Sequence, residues 1–374
     1  LLNSPEIEYV VNACDAGREG ELIFKHVYDL SGSKKPVKRL WISSLEDSAI
    51  FDGMQHLRSA EEYRHLAEAA VCRSQADWLV GMNATRAYTT KYFKKLTVGR
   101  VQTPTLAMLV ERAGQISNFQ KEKYFNVELD CDGIPAVKSK IFDPDEAEQL
   151  RSRCQGSEAI VTAVKEAEKK VKAPKLYDLT TLQREANRIY GMTAKQTLDT
   201  AQSLYEKKLI TYPRTDSQYL TEDMEQTARN VVRQIYEKYQ LTGPFDQPEQ
   251  PDVKKVMNNS KVTDHHAIIP TMELASCHLG ELKSWEEKIL FLIAVHTVMA
   301  MSKDHIYQET EIEVECQGEV FKTKGKTVLQ DGWKIFENCF KNKDRMAIAD
   351  PDQEMKERIP KVTKGQTFYA VAVS

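Results

Sequence analysis

"IEYVVNACDAGREGELIFKHVYDL", Ile7 to Leu30, is the stretch that decides the fold class. Ile7 to Cys14 is apolar and β-branched enough to read as a buried strand. "DAGREG" reads as a turn, and "ELIFKHVYDL" carries helical spacing. A strand, a loop and a helix in that order form one unit of an α/β domain. Asp15 falls at the carboxyl end of the strand, the edge where open α/β sheets bind ligands. Asp15 and Glu19 are two hard oxygen donors that suit magnesium near a phosphate. The plainer reading is an Asp-Gly turn with acids favoured by the helix N-terminus. Arg18, set between the acids, suits a site that handles both signs of charge.

Working outward, residues 57–94 hold few helix breakers and read as mostly helical. "YFNVELDCDG" alternates as a strand does, and "KEAEKKVKAPK" (Lys165–Lys175) reads as a charged connector ending near a proline. From about Leu179 to Met301 the pattern is helical, with Thr193 and Gln196 as a capping box. Leu198, Ala201, Leu204 and Tyr205 follow at helical spacing. "ETEIEVECQGEVFKTKG" alternates through a Gln-Gly turn and reads as a β-hairpin.

The 374 residues give room for two to four domains. With 41% hydrophobic and 29% charged residues, the composition is that of a soluble globular chain. Seven cysteines lie scattered without a C-x-x-C pair, so neither a zinc ribbon nor a disulfide framework is indicated. No apolar run is long enough to span a membrane. A net charge of −3 leaves nucleic-acid binding to local basic clusters. "GKT" at Gly325–Thr327 resembles the end of a phosphate-binding loop, but Val320 stands where that loop needs its first glycine. No nucleoside triphosphate site is found, so the chemistry is expected to run without ATP.

Three further clusters carry candidate chemistry. "KKLITYPRTDSQYL", Lys207 to Leu220, sets Tyr212 beside Pro213, with Arg214 next; on its own it also reads as a loop closing a helix. "CRSQADWLVGMNATRAYTTKYFKKLTVGRVQTPTL", Cys72 to Leu106, places Arg73 and Asp77 four apart on a helix. It then interleaves Arg86, Lys91, Lys94, Lys95 and Arg100 with Tyr88, Tyr92 and Phe93, a mixture suited to single-stranded nucleic acid and also to a solvated basic face. "DHHAIIPT", Asp264 to Thr271, puts two histidines before an apolar run, a pattern common in capping and surface histidines; facing Tyr212 it would gain interest.

"DAGREGELI", "ADWLVGMNATRAYT", "GRVQTPTL", "LYEKKLITYPRTDS" and "HHAIIPT" occur here in the order found in type IA DNA topoisomerases, and the wording most resembles the bacterial topoisomerase III group. The resemblance covers nearly the whole chain. It implies a mixed α/β multidomain fold of the toroidal type: a partial Toprim domain (1–55), a helical DNA-binding domain (56–118), a strand-rich arch in two parts (119–174 and 304–374) and a helical domain bearing the tyrosine (175–303).

It further implies that Tyr212 attacks a phosphodiester of single-stranded DNA, becomes linked to the 5′ phosphate and releases a 3′ hydroxyl. A tyrosine with a pKa of about 10 needs help to do this at neutral pH. The phosphotyrosine conserves the bond energy, so rejoining needs no ATP. Arg214 is the natural bidentate donor to the phosphate. By the same resemblance Glu206, Gln202 and His265 lie near the scissile phosphate, and Asp15 and Glu19 match acidic metal positions. Arg73, Arg86, Thr89, Thr97, Val98, Gly99, Arg100, Val101 and Gln102 match the DNA grip. Toprim motifs usually read Asp-x-Asp; here Gly17 replaces the second acid. The family's upstream glutamate and its final DNA-binding segment are expected outside this chain, so the chain is expected to be a fragment that holds magnesium weakly or not at all. The implied setting is the bacterial cytoplasm at the nucleoid, as a monomer, away from membranes, acting on single-stranded and negatively supercoiled DNA with a helicase as candidate partner. Two alternatives stay open: a single-strand binder without activity, and a mobile-element variant of the enzyme.

Overall fold

The computed structural model describes residues 1–42, 47–241, 251–262, 264–337, 360–369 and 371–372. Along the chain run β1 (Val10–Asn12), α1 (Arg18–Ser31), β2 (Val37–Arg39), α2 (Asp47–Gln55), β3 (Arg58–Ser59), α3 (Arg64–Tyr92) and α4 (Gln102–Ser117). There follow β4 (Phe125–Cys131), β5 (Ile134–Ile141), α5 (Pro144–Cys154), β6 (Glu158–Val171), α6 (Leu179–Tyr190), α7 (Ala194–Glu206), α8 (Glu225–Tyr239) and α9 (Ser284–Ala300). The last strands are β7 (His305–Cys316), β8 (Glu319–Gln330), β9 (Thr367–Tyr369) and β10 (Val371–Ala372). The fold is mixed α/β. The chain divides into two units. One holds Leu1–Phe119 and the described parts of Lys175–Thr242 and Pro248–Thr297; the other is built on Gln120–Pro174 and Val298–Ser374. Of the second strand-rich segment expected from the sequence, residues 338–359 lie outside the described residues.

In the first unit β1 pairs in parallel with β2, and β2 antiparallel with β3. The strand expected over Ile7–Cys14 is shorter, because its end is spent on the turn that leads into α1. Gly17 caps α1 in extended backbone. Gly20 is a glycine for a steric reason: a Cβ there would stand 2.1 Å from the Asp15 carbonyl oxygen. Thr193 and Gln196 form the expected capping box at α7. Ala201 and Leu204 on α7 are buried. α9 is apolar almost all round, and Ile289 to Val295 lie wholly inside.

The second unit is one antiparallel sheet in the order β10-β4-β5-β8-β7-β6-β9. Val127, Leu129, Cys131, Val161, Ile312, Val314, Cys316 and Phe321 alternate inward and pack on α5 through Leu150 and Cys154. Burial pushes the thiols of Cys131 and Cys316 up to about 11 and about 12, so both stay protonated and inert. The Gln-Gly turn is found: Gln317 and Gly318 both have positive φ, 52° and 80°, which sets a two-residue hairpin. Gly325–Thr327 lies inside β8, consistent with its rejection as a phosphate loop.

The expected connector Lys165–Lys175 is mostly strand. Its lysines face glutamates across the ladder: Lys165 to Glu313 at 3.4 Å, Lys169 to Glu309 at 3.9 Å. Lys322 adds a second cation to Glu313 at 3.1 Å. Opposed charges across neighbouring strands stabilise pairing, so a charged run can be a solvated sheet face. The chain leaves this unit just after Val171 and re-enters it at β7, and Val171 is paired with His305 in the ladder.

Candidate active site

Two segments more than fifty residues apart in sequence are stitched together in the first unit. The Thr211 amide donates to the Ile269 carbonyl at 2.9 Å, and the Thr211 hydroxyl donates to the Ala267 carbonyl at 3.0 Å. The Thr271 amide donates to the Leu209 carbonyl at 3.0 Å, and the Thr215 hydroxyl to the His265 carbonyl at 2.9 Å. "LITYPRT" and "DHHAIIPT" therefore form one pinned pair of strand-like peptides. The contact that would make the histidine pair interesting is present: the rings of Tyr212 and His265 lie 4.4 Å apart. Tyr205, from the last turn of α7, meets Tyr212 edge-on at 5.3 Å. His266 turns away, its Nδ1 2.9 Å from the Ala267 carbonyl oxygen. Burial, partly offset by that carbonyl, depresses the His266 pKa, which keeps it neutral.

His265 also reaches the acidic turn. Its Nε2 is 3.5 Å from Asp15 Oδ2. Phenol, imidazole and carboxylate, from three separate motifs, form one contiguous array. Gln202 Nε2 donates to Glu206 Oε1 at 3.2 Å, an i,i+4 pair on the face of α7 that leads to the tyrosine. Arg214 is exposed and has no ion pair or hydrogen bond among the described residues.

The acidic turn is held from beneath by a residue that sequence reasoning missed. Arg39 is fully buried and binds Glu21 Oε1 at 2.7 Å. It also donates to the carbonyls of Asn12, Cys14, Asp15 and Leu40 at 2.6–3.0 Å. A buried guanidinium with its donors satisfied fixes backbone geometry, and a lysine could not match that fork. The only sequence signal was Glu21, an acid on the inner side of α1 that needs a cation. Asp264 was also missed: its carboxylate packs onto Gly17. Partial desolvation against that turn raises its pKa, with Asp216 and Asp15 adding to the effect and His265 and Arg18 opposing it.

The Asp15 and Glu19 carboxylates each face another side chain of this chain. Glu19 Oε1 is 3.2 Å from Arg73, and Asp15 meets His265. Among the described residues no group of three or more His, Cys, Asp or Glu is arranged to hold a metal. The residues as placed do not make a magnesium site.

Arg73 and Asp77, four apart on α3, take different partners. Arg73 turns to Glu19, and Asp77 accepts from Arg100 Nε at 2.7 Å. α3 thus touches the acidic turn with one residue and the loop after it with the next turn. That loop is tied to α3: the Leu96 amide donates to Thr89, and the Val98 amide to Thr85. Gly99 lies against Gln102, and the Gly99 amide donates to the Thr103 hydroxyl at 3.1 Å. Arg86, Val101 and Gln102 are exposed. Tyr88 and Tyr92 stack at 6.1 Å on the same face, half exposed.

Residues 61–374 match the family model described as DNA topoisomerase. The chain belongs to the DNA topoisomerase family. It is 40% identical to DNA topoisomerase 3 of Bacillus subtilis (strain 168), over 98% of this chain and 51% of that protein. It is 36% identical to the DNA topoisomerase 3 of Bacillus cereus (strain ATCC 14579), over 97% of this chain and 50% of that protein. The family likeness is therefore to the bacterial topoisomerase III branch of type IA, and the chain spans about half the length of these relatives. Full-length topoisomerase I from Thermotoga maritima shares the fold, with a TM-score of 0.69 at 23% identity over 98% of this chain and 58% of that one.

Proposed function

We propose that this chain carries the cleavage site of a type IA DNA topoisomerase, an isomerase that cuts and rejoins a single DNA strand through Tyr212. One observation carries the reading: the Tyr212 ring rests 4.4 Å from His265, whose Nε2 is 3.5 Å from Asp15. In the proposed step the Tyr212 oxygen attacks phosphorus. An O–P bond forms to the 5′ phosphate as the phenol gives up its proton, the bond to the 3′ oxygen breaks, and that oxygen leaves as a hydroxyl after taking up a proton, so no net proton is gained or lost. Arg214, exposed and without an ion pair among the described residues, is suited to hold the phosphate charge by two hydrogen bonds. Charge built up at phosphorus is stabilised by preformed donors more than by any other single effect. Gln202 and Glu206 offer polar groups beside it. The reverse step reuses the phosphotyrosine, so no ATP enters. A single DNA strand approaching along α3 would meet Arg86, Arg100 and the exposed rings of Tyr88 and Tyr92. A monomer working beside a helicase on negatively supercoiled DNA in the bacterial cytoplasm completes this reading.

The test is a denaturant quench of the complete natural protein with labelled single-stranded DNA. Wild type should give a covalent protein–DNA product, and Tyr212→Phe should give none while binding the strand normally. The ring and its stacking survive in that variant; only the nucleophilic oxygen is lost. Retention of the strand without covalent product in the wild type would favour the single-strand binder.

A further inference from the structure

A Cβ at position 17 would stand 2.3 Å from Cγ, Oδ1 and Oδ2 of Asp264 alike. Ordinary carbon contacts lie near ~3.5–4.0 Å. The space that any side chain at position 17 would need is filled by the carboxylate of Asp264, which belongs to the tyrosine-bearing segment. Gly17 has extended backbone that any residue adopts, so its conformation does not call for glycine. The call for glycine comes from Asp264. Asp264 is also joined directly to His265, and His265 is the residue that bridges Tyr212 and Asp15. The position of Asp264 in the Gly17 cradle therefore sets where His265 stands between ring and acid.

We propose that Asp264 and Gly17 form a steric interlock that registers the tyrosine segment on the acidic turn, with Asp264 as a positioning residue for the covalent step. The inference rests on the topoisomerase reading of this site. The interlock is one of shape. A methyl at position 17 must push the Asp264 carboxylate outward, because the far end of that side chain yields more easily than the turn beneath it. Once the carboxylate is out of the cradle, the register that it held is loosened, and the His265 contact to Asp15, already 3.5 Å long, is the first to lengthen.

The experiment is a double-mutant cycle in the complete natural protein, read as the rate of covalent adduct on a single-stranded oligonucleotide at saturating DNA, with strand affinity measured separately. Gly17→Ala should slow adduct formation roughly tenfold to a hundredfold, the range expected for an ångström-scale misplacement, and leave affinity unchanged. Asp264→Gly should slow it as well. Gly17→Ala added to Asp264→Gly should cost nothing further, because the clash has gone. Asp264→Asn, which keeps the shape, should stay close to wild type. Losses that multiply in the double variant would overturn the interlock, as would a full loss in Asp264→Asn beside an innocuous Gly17→Ala. A wild type that forms no adduct overturns the topoisomerase reading and the interlock with it, whereas a wild type that forms adduct while the cycle is additive overturns the interlock alone.

Discussion

At the scale of single residues, Arg100 is the informative case. Its guanidinium is committed to Asp77 at 2.7 Å, with both side chains partly exposed. An exposed pair of this kind contributes about 0–1 kcal/mol, so a phosphate can compete for the arginine. Asp77→Asn should therefore tighten single-strand binding, and Arg100→Ala should weaken it and lower the salt slope by roughly one counterion. Fluorescence anisotropy across a salt series checks both; an unchanged slope in Arg100→Ala would remove it from the phosphate contacts. Tyr212, Arg214 and His265 could be named as candidates from sequence because each lies in a short peptide that resembles a family motif. Arg39 and Asp264 could not. The value of each depends on what faces it across the fold, carbonyls in one case and an absent side chain in the other, and neither appears in the local pattern.

At the scale of elements, the tyrosine is held by what ends α7. Glu286, at the start of α9, accepts from the Ser203 hydroxyl at 2.7 Å, Lys207 Nζ at 2.6 Å and the Lys283 amide at 3.0 Å. Burial alone pushes its carboxyl up, but the bonds from Lys207, Lys283 and Ser203 outweigh that and hold it at about 2. The folded pKa is thus below the unfolded one, so the stabilisation is complete above about pH 4.5 and is lost as pH falls towards 2. The gap is worth roughly 3 kcal/mol. Glu286→Gln should lower stability at neutral pH by about that amount and flatten the loss between those pH values, as measured by urea unfolding at several pH values. The capping box at Thr193 and Gln196, the hairpin and the helix of the first α/β unit were readable because each follows a local rule. The ladder over Lys165–Val171 was not, since its charges look like a linker until the glutamates of β7 are placed opposite.

At the scale of the whole molecule, each unit has its own core, and the Tyr212 array lies within the first. Calorimetry should resolve two transitions, because units with separate cores need not unfold as one. Phe321→Ala removes a fully buried ring from the second core and should cost that unit about 3–5 kcal/mol. It should lower one transition and leave adduct formation by Tyr212 intact at temperatures where both units are folded; a matching shift of both transitions would show a single cooperative molecule. The chain passes from the first unit to the second between Phe119 and Gln120, and two further crossings lie close to the paired ends of β6 and β7, where Val171 meets His305. A force that draws those two ends apart acts on neighbouring strands at one end of the ladder, where hydrogen bonds open one after another. The rung that joins Val171 to His305 is then the first to give way, and the buried rung that joins Val161 to Val314 is among the last.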